Sequence, residues 1–442
     1  MVTTHTGPTP LLMATLACLA LPSCSEELVC ASDLVACRGA CVSLATDPSH
    51  CGACDHACDA GQTCAASACV YGTAQNCGAL GRTCGTGERC VAGDCVADLY
   101  LACFDTDEVR EATSALEPAG IPIATEAGPI AMARLGQSLF VADSLNNTVD
   151  ELRFDPPAVR KVSTITILTQ GQYGPDLEFL ASGNGLLYVS NAAANVLDVI
   201  DPAAGRVVDE IPLGAGAFPA GIHLAGAKAY LALNGTDEVA VVDVSASATC
   251  LAPPCGAVSK RIALPASLAG AGGRPMPARL AAVAGRLYLT LWNLKADFTP
   301  AGNGRLAAID LATDELVTAA GFFPIDLGSG CQNPADVAAQ GQVLYVTCGF
   351  FPYGSPGTIS GAGIVPVDVS TGAPVVGTGP SLSASAPGPI AFCGGVGYAG
   401  DRASGAVLKY DPGTNTVTAT QTLCPPRTGG TAAFVADVAC GP

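Results

Sequence analysis

Leu187-Tyr188-Val189-Ser190-Asn191, followed after a short turn by Val199-Ile200-Asp201, sets out one pair of strands. Side chains alternate as a pleated sheet requires, an aromatic marks the first strand and an aspartate closes the second. The pattern returns as Ala229-Tyr230-Leu231 with Val241-Val242-Asp243, and more loosely elsewhere. In each unit a proline-opened apolar segment and a glycine turn precede the aromatic strand. The marker aromatics are Tyr100, Phe140, Tyr188, Tyr230, Tyr288, Tyr345 and Tyr398. They recur at intervals of roughly 40 to 60 residues, the spacing of four-stranded propeller blades. Seven marks predict seven blades.

Composition agrees with an all-β reading. The chain has 442 residues, with Gly 52, Pro 32 and only 13% charged residues, which starves long surface helices and suits many short turns. Asp plus Glu outnumber Lys plus Arg by 38 to 20, and the net charge of −18 repels a phosphate backbone, so nucleic acid is excluded as a partner. Mean hydropathy is +0.41. No apolar run, however, reaches the ~20 residues of a membrane-spanning helix. The longest, Leu11 to Leu21, has the length of a signal-peptide core.

Directly after it, Leu21-Pro22-Ser23-Cys24 resembles a bacterial lipobox, which implies removal of residues 1–23 and lipidation of Cys24. Ordinary secretion is the alternative. Cysteine usage points to the same oxidising destination. Without Cys18 in the signal and Cys24 as lipid carrier, twelve cysteines fall between Cys30 and Cys95 and eight from Cys103 onward, so both segments hold even sets. The expected organisation is a signal peptide at 1–23, a cysteine-rich disulfide module at 24–96 and a propeller at 97–442.

Within the module, Cys37-x3-Cys41-x9-Cys51-x2-Cys54-x3-Cys58-x5-Cys64-x4-Cys69 resembles the stigma-specific-protein-like cysteine repeat of exported bacterial proteins such as those of myxobacteria. A shortened copy follows, because Cys84-x5-Cys90-x4-Cys95 repeats the spacing of Cys58, Cys64 and Cys69. About 70 residues with almost no aromatic side chains cannot bury enough apolar surface to fold unaided, so crosslinks must do it. Cys51-x2-Cys54 beside His50 and His56 also imitates a zinc knuckle, but export favours disulfides. The resemblance implies a spacer or interaction module and no catalytic role.

The blade units resemble the YVTN β-propeller repeat, most closely from Tyr188 to Asp201. At the C-terminus, Thr431-Ala432-Ala433-Phe434-Val435-Ala436-Asp437-Val438-Ala439-Cys440 matches Pro334-Ala335-Asp336-Val337-Ala338, an innermost strand, whereas Leu99 to Cys103 begins as a second strand without a predecessor. The expected ring is therefore closed by the C-terminal strand. Strand polarity then brings Cys331 near Cys348 and Cys424 near Cys103. Cys250 and Cys255 pair locally, and Cys393 with Cys440 fall on neighbouring inner strands.

Few residues carry chemistry. The aspartates ending third strands (Asp155, Asp201, Asp243, Asp310, Asp368, Asp411) read as turn caps. Asp105, Asp107 and Glu108 lack a calcium-loop pattern. Of four histidines only His223 lies in the propeller, where it reads as a packing position. No catalytic residue, metal site or cofactor is expected. Two long connections, Trp292 to Asn303 and Gly349 to Ser360, concentrate aromatics: Trp292, Phe298, Phe350, Phe351 and Tyr353. They either pack on each other as a loop core or anchor a partner. The expectation is an outer-membrane lipoprotein or extracellular protein that binds a protein or glycan at the cell surface and touches membrane by its lipid anchor alone. The alternative is a propeller enzyme, lactonase-like or quinone-dependent-dehydrogenase-like.

Overall fold

Proline opens five of the innermost strands, at Pro129, Pro219, Pro277, Pro334 and Pro387, where its missing N–H takes no ladder bond away. The computed structural model describes residues 30 and 34–442, apart from 61, 66, 71, 74–75, 78–88, 92–93, 97, 156–157, 170–173, 175, 320, 350–360, 372, 383–385, 427–433 and 442. It is all-β, and its second unit holds seven antiparallel sheets, the blades of a propeller. Blade 2 runs Pro129–Leu135, Ser138–Asp143, Thr148–Asp155 and Ala158–Thr166, from inner to outer strand. Blades 3 to 7 repeat this, starting from inner strands Leu177–Gly183, Pro219–Ala225, Pro277–Val283, Pro334–Gln340 and Pro387–Cys393. In blade 5 two short strands, Glu315–Leu316 and Ile325–Asp326, share the outer position on Arg305–Asp310.

Blade 1 is composite. Its inner strand, Val435–Cys440, pairs with Leu99–Cys103, which is followed by Glu108–Ala112 and Pro118–Ala124. The Gly441 N–H extends the seam to the Asp98 carbonyl at 2.7 Å. Closure pairs the inner edge that Leu99–Cys103 would otherwise leave bare.

The seven marker aromatics are buried between blades. Two of their hydroxyls latch onto the next blade: Tyr230 donates to the Asp314 carboxylate, and Tyr398 to the Ser114 carbonyl at 3.0 Å. Apolar clusters fill each boundary, such as Tyr188, Leu197, Val199, Ile222, Leu231 and Val242 between blades 3 and 4. All seven inner strands also shift register at their first residues, for instance between Pro334 and Asp336 and between Val435 and Asp437. A bulge at this point turns the strand and frees backbone N–H groups toward neighbours.

Two compact units divide between Tyr71 and Gly72. The first is crosslinked by Cys30–Cys41, Cys37–Cys54, Cys51–Cys64 and Cys58–Cys69, an interlocked set in which no bond passes Tyr71. The hairpin strands Arg89–Val91 and Asp94–Val96 and the bond Cys77–Cys90 fall in the second unit with the propeller. Part of the segment 24–96 therefore groups with the blades. The last crosslink of the first cysteine repeat, and not the last cysteine before Leu99, marks the change.

Candidate functional site

In a four-stranded antiparallel blade, the end of the second strand, the start of the third and the end of the fourth share one face with the link to the next blade. On this face lies the connection from Trp292 to Asn303. It is a braced hairpin. Asn293, buried, accepts the Gly270 N–H at 2.7 Å and donates to the Asn303 carbonyl at 2.7 Å. Gly273–Arg274 pairs with Leu294–Lys295, and Thr299 donates its hydroxyl to Asp297 at 2.6 Å. Trp292 is half-buried at the base, while Phe298, at a positive φ of 58°, is 43% exposed at the tip.

Phe350, Phe351 and Tyr353 lie outside the described residues. The ends of their segment are nevertheless pinned together, because Gln332 donates its N–H to the Gly361 carbonyl at 2.8 Å and accepts the Gly349 N–H at 2.7 Å. Cys331–Cys348 crosslinks the same corner. Leu145, Leu168 and Phe218 add further exposed apolar side chains on this face, on blades 2 and 3 and their following links.

The other cysteines are placed as follows. Cys103 bonds Cys424 across 321 residues, Cys250 bonds Cys255, and Cys393 bonds Cys440 between the ends of the inner strands of blades 7 and 1. Cys24 lies outside the described residues. Cys51, Cys58 and Cys69 bring their sulfurs within 4.8 Å of one another, but each is already bonded, and His50 Nδ1 accepts the Asp55 N–H at 2.9 Å. These groups form a disulfide knot and not a zinc knuckle.

The third-strand aspartates with described side chains cap turns. Asp201 accepts the N–H groups of Ala203 and Ala204, Asp310 those of Ala312 and Thr313, and Asp411 that of Gly413. Hydrogen bonds from Ser245 and Ser370 hold the carboxyls of Asp243 and Asp368 below their usual range. In the acidic loop, Glu108 pairs with Arg110 at 2.6 Å and Asp107 accepts the Gly128 N–H at 3.0 Å. Burial holds the His223 imidazole below its ordinary value.

Two groups of charges escaped the sequence reading. The first is in blade 2, where buried Asp150 pairs with Lys161 at 2.8 Å and Lys161 also reaches Glu126 at 3.0 Å. Beside them Asp143 is fully buried and pushed up to about 9, chiefly by burial and then by the Asp150 charge. The second group stands at the inner-strand bulges. Asp336 accepts the N–H of Val337 at 2.8 Å and, from blade 7, that of Ile390 at 3.0 Å. Asp437 likewise accepts Val438 at 2.8 Å and, from blade 2, Met132 at 2.6 Å. Each aspartate thus ties its blade to the next. The available signal was an acid in an otherwise apolar strand, at the same offset in Pro334-Ala335-Asp336 and Val435-Ala436-Asp437.

Residues 20–72 match the model of the stigma-specific STIG1-like protein family, so the N-terminal cysteine-rich region is STIG1-like. No curated protein matches the sequence. Among solved structures, a putative 6-phosphogluconolactonase from Bacteroides fragilis is similar, with a TM-score of 0.55 at 11% identity, covering 78% of this chain and 97% of that one. A functionally unknown protein from Desulfotomaculum acetoxidans gives 0.55 at 10% identity, over 78% and 98%. Streptogramin B lyase gives 0.50 at 14%, over 74% and 88%. At these identities the likeness is one of fold.

Proposed function

We propose that this propeller, carried behind a STIG1-like cysteine-rich region, is an exported binding protein that engages a protein or glycan at the cell surface. The observation that carries the reading is Phe298, a large apolar side chain exposed at the tip of a hairpin braced by Asn293. A rigid support lowers the entropy lost when such an anchor is buried by a partner. The disulfides suggest an extracellular or secreted protein, and no helix among the described residues is long and apolar enough to cross a membrane. We assign the finer address, lipidation of Cys24 and residence in the outer membrane, on the strength of the lipobox-like Leu21-Pro22-Ser23-Cys24.

The enzyme alternative rests on likeness of fold. Against a metal-dependent lactonase stands the engagement of Asp336 and Asp437, whose carboxylate oxygens already accept backbone N–H bonds. The test uses the full chain, crosslinked to envelope fractions of its own cells. Phe298→Ala and Trp292→Ala together should abolish saturable crosslinking to one partner while the melting temperature of Phe298→Ala stays unchanged. Undiminished crosslinking by the double variant would remove this face from the account.

A further inference from the structure

The ring closes at the seam between blades 7 and 1, and it is crosslinked there twice. Cys103–Cys424 ties the end of the second strand of blade 1 to the link that follows Thr416–Thr422 of blade 7. Cys393–Cys440 ties the ends of the two inner strands, Pro387–Cys393 and Val435–Cys440. The first and second strands of an antiparallel blade end at opposite faces, so one bond lies at the face of Phe298 and the other at the face away from it. Their surroundings are unlike. Cys103 and Cys424 are each 1% exposed, and Cys331 and Cys348 are fully buried. In Cys250–Cys255 only Cys255 is half-buried, whereas Cys393 and Cys440 are both half-buried, so this is the one crosslink after Leu99 whose two halves both meet solvent.

What they meet is a cavity. About 510 Å³ in volume, it is bounded by Asp98, Ser114, Val396, Tyr398 and Lys409 as well as by the two cysteines. Its Ser114 wall is fixed from both blades. The Ser114 carbonyl accepts the Tyr398 hydroxyl at 3.0 Å and the Lys409 ammonium at 2.7 Å, and the Ser114 N–H donates to Asp98 at 3.1 Å. A space held in this way exists before anything enters it, and its size is that of sites for small organic molecules. Nor does the ring depend on the bond that faces it. Val435–Cys440 is paired with Leu99–Cys103 at five register positions, and Cys103–Cys424 staples the same seam from the sealed side. Cys393–Cys440 is therefore a bond that can open while the ring stays shut.

We propose that Cys393–Cys440 is a site of thiol–disulfide exchange, at which a low-mass thiol entering the cavity is joined reversibly to the propeller. Exposed disulfides are the labile ones. The thiolate attacks the Sγ of one cysteine and forms a new S–S bond, while the bond between Cys393 and Cys440 breaks with its electron pair left on the other sulfur as thiolate. A second thiolate then attacks the mixed disulfide and departs with the first as their oxidised dimer. Two electrons pass from the two thiol molecules to the protein, and both cysteines take up protons as thiols.

The experiment places the full, natively oxidised chain in a mixture of reduced and oxidised glutathione at neutral pH without denaturant. Samples quenched with acid at intervals are alkylated and mapped by mass spectrometry. Cys393 or Cys440 should carry a glutathionyl group, and their bond should open at least about tenfold faster than Cys103–Cys424, which waits for local opening of a sealed seam. Cys103–Cys424 and the cooperative melting of the ring should persist throughout. Opening no faster than that of Cys103–Cys424, or loss of the two bonds together, would overturn the proposal. Cys440→Ser, which cannot re-form the bond, should hold glutathione on Cys393, and a Cys393 that stays a free thiol in the same mixture would refute the site. If this variant loses cooperative melting, the rates in the native chain decide.

Discussion

Before Leu99, every apolar residue buried among those described is a cysteine: Cys37, Cys51, Cys64 and Cys77. After it, each blade boundary buries a continuous cluster, such as Leu306, Leu344, Val346, Val365 and Val367 between blades 5 and 6. The cysteine-rich segment before Leu99, which runs from the first unit into the second, makes covalent bonds the core itself, and they act mainly by restricting the unfolded chain. The propeller relies on area removed from water, and places its cysteines at seams: Cys103–Cys424 and Cys393–Cys440 at ring closure, Cys331–Cys348 at the base of a long loop. The same bond type therefore has two roles, substitute for a core in one unit and staple across a finished one in the other.

Reduction should separate the two roles most sharply. Dithiothreitol without denaturant should abolish hydrogen-exchange protection over the crosslinked residues 34–70 and leave the second and third strands of the blades protected. Rapid exchange in Leu186–Asn191 or Lys228–Leu233 would mean that burial alone does not hold the blades. Among the staples themselves, loop length sets the expected order. Cys103→Ser with Cys424→Ser should cost on the order of 5 kcal/mol in urea unfolding, and Cys250→Ser with Cys255→Ser on the order of 2 kcal/mol. The sequence separations are 321 and 5 residues. Equal losses would argue that native geometry, not the unfolded chain, governs both.

A smaller effect probes how the propeller tolerates charge in its core. Asp143 rises from 3.8 to about 9, so the folded state holds a proton that the unfolded state releases, and stability falls as pH climbs through that window. Asp143→Asn should be nearly neutral at pH 4 and stabilising at pH 8, by up to about 5 kcal/mol. Asparagine already occupies the matching place in blade 3, where Asn191 ends the second strand and accepts the Ala194 N–H. No gain at pH 8 would show instead that Asp143 is ionised and balanced by Lys161.

Blade number, composite blade 1 and the markers Tyr100 to Tyr398 were legible because they are local and repeated: a period-2 strand, a turn and an aromatic occur within about fifteen residues of one another. Strand direction paired Cys331 with Cys348 and Cys103 with Cys424, nearness in sequence paired Cys250 with Cys255, and Cys393 and Cys440 were left on neighbouring inner strands. The pairing within the first unit was not legible, since eight cysteines in irregular loops impose no polarity. Nor were the contacts of Arg279, which reaches from blade 5 to the Glu178 carbonyl of blade 3, and of Arg402, which reaches from blade 7 to the Ala436 carbonyl of blade 1, placements that no sequence window contains. The aromatic loops fall between these cases. Composition singled out Trp292 and Phe298, but only the hydrogen bonds of Asn293 distinguish a braced tip from a loose one.

Closure by Val435–Cys440 also governs when the molecule comes into being. A chain made from its N-terminus builds blades 2 to 7 in order, yet Leu99–Cys103 waits for its partner until more than three hundred residues have followed. Until then the ring is open, one strand edge is bare, and Cys103 and Cys440 have no seam to seal. Arrival of Val435–Cys440 is thus the signal that closes the ring. A product that stops short of Val435 displays its own incompleteness as an exposed edge beside an unmade disulfide.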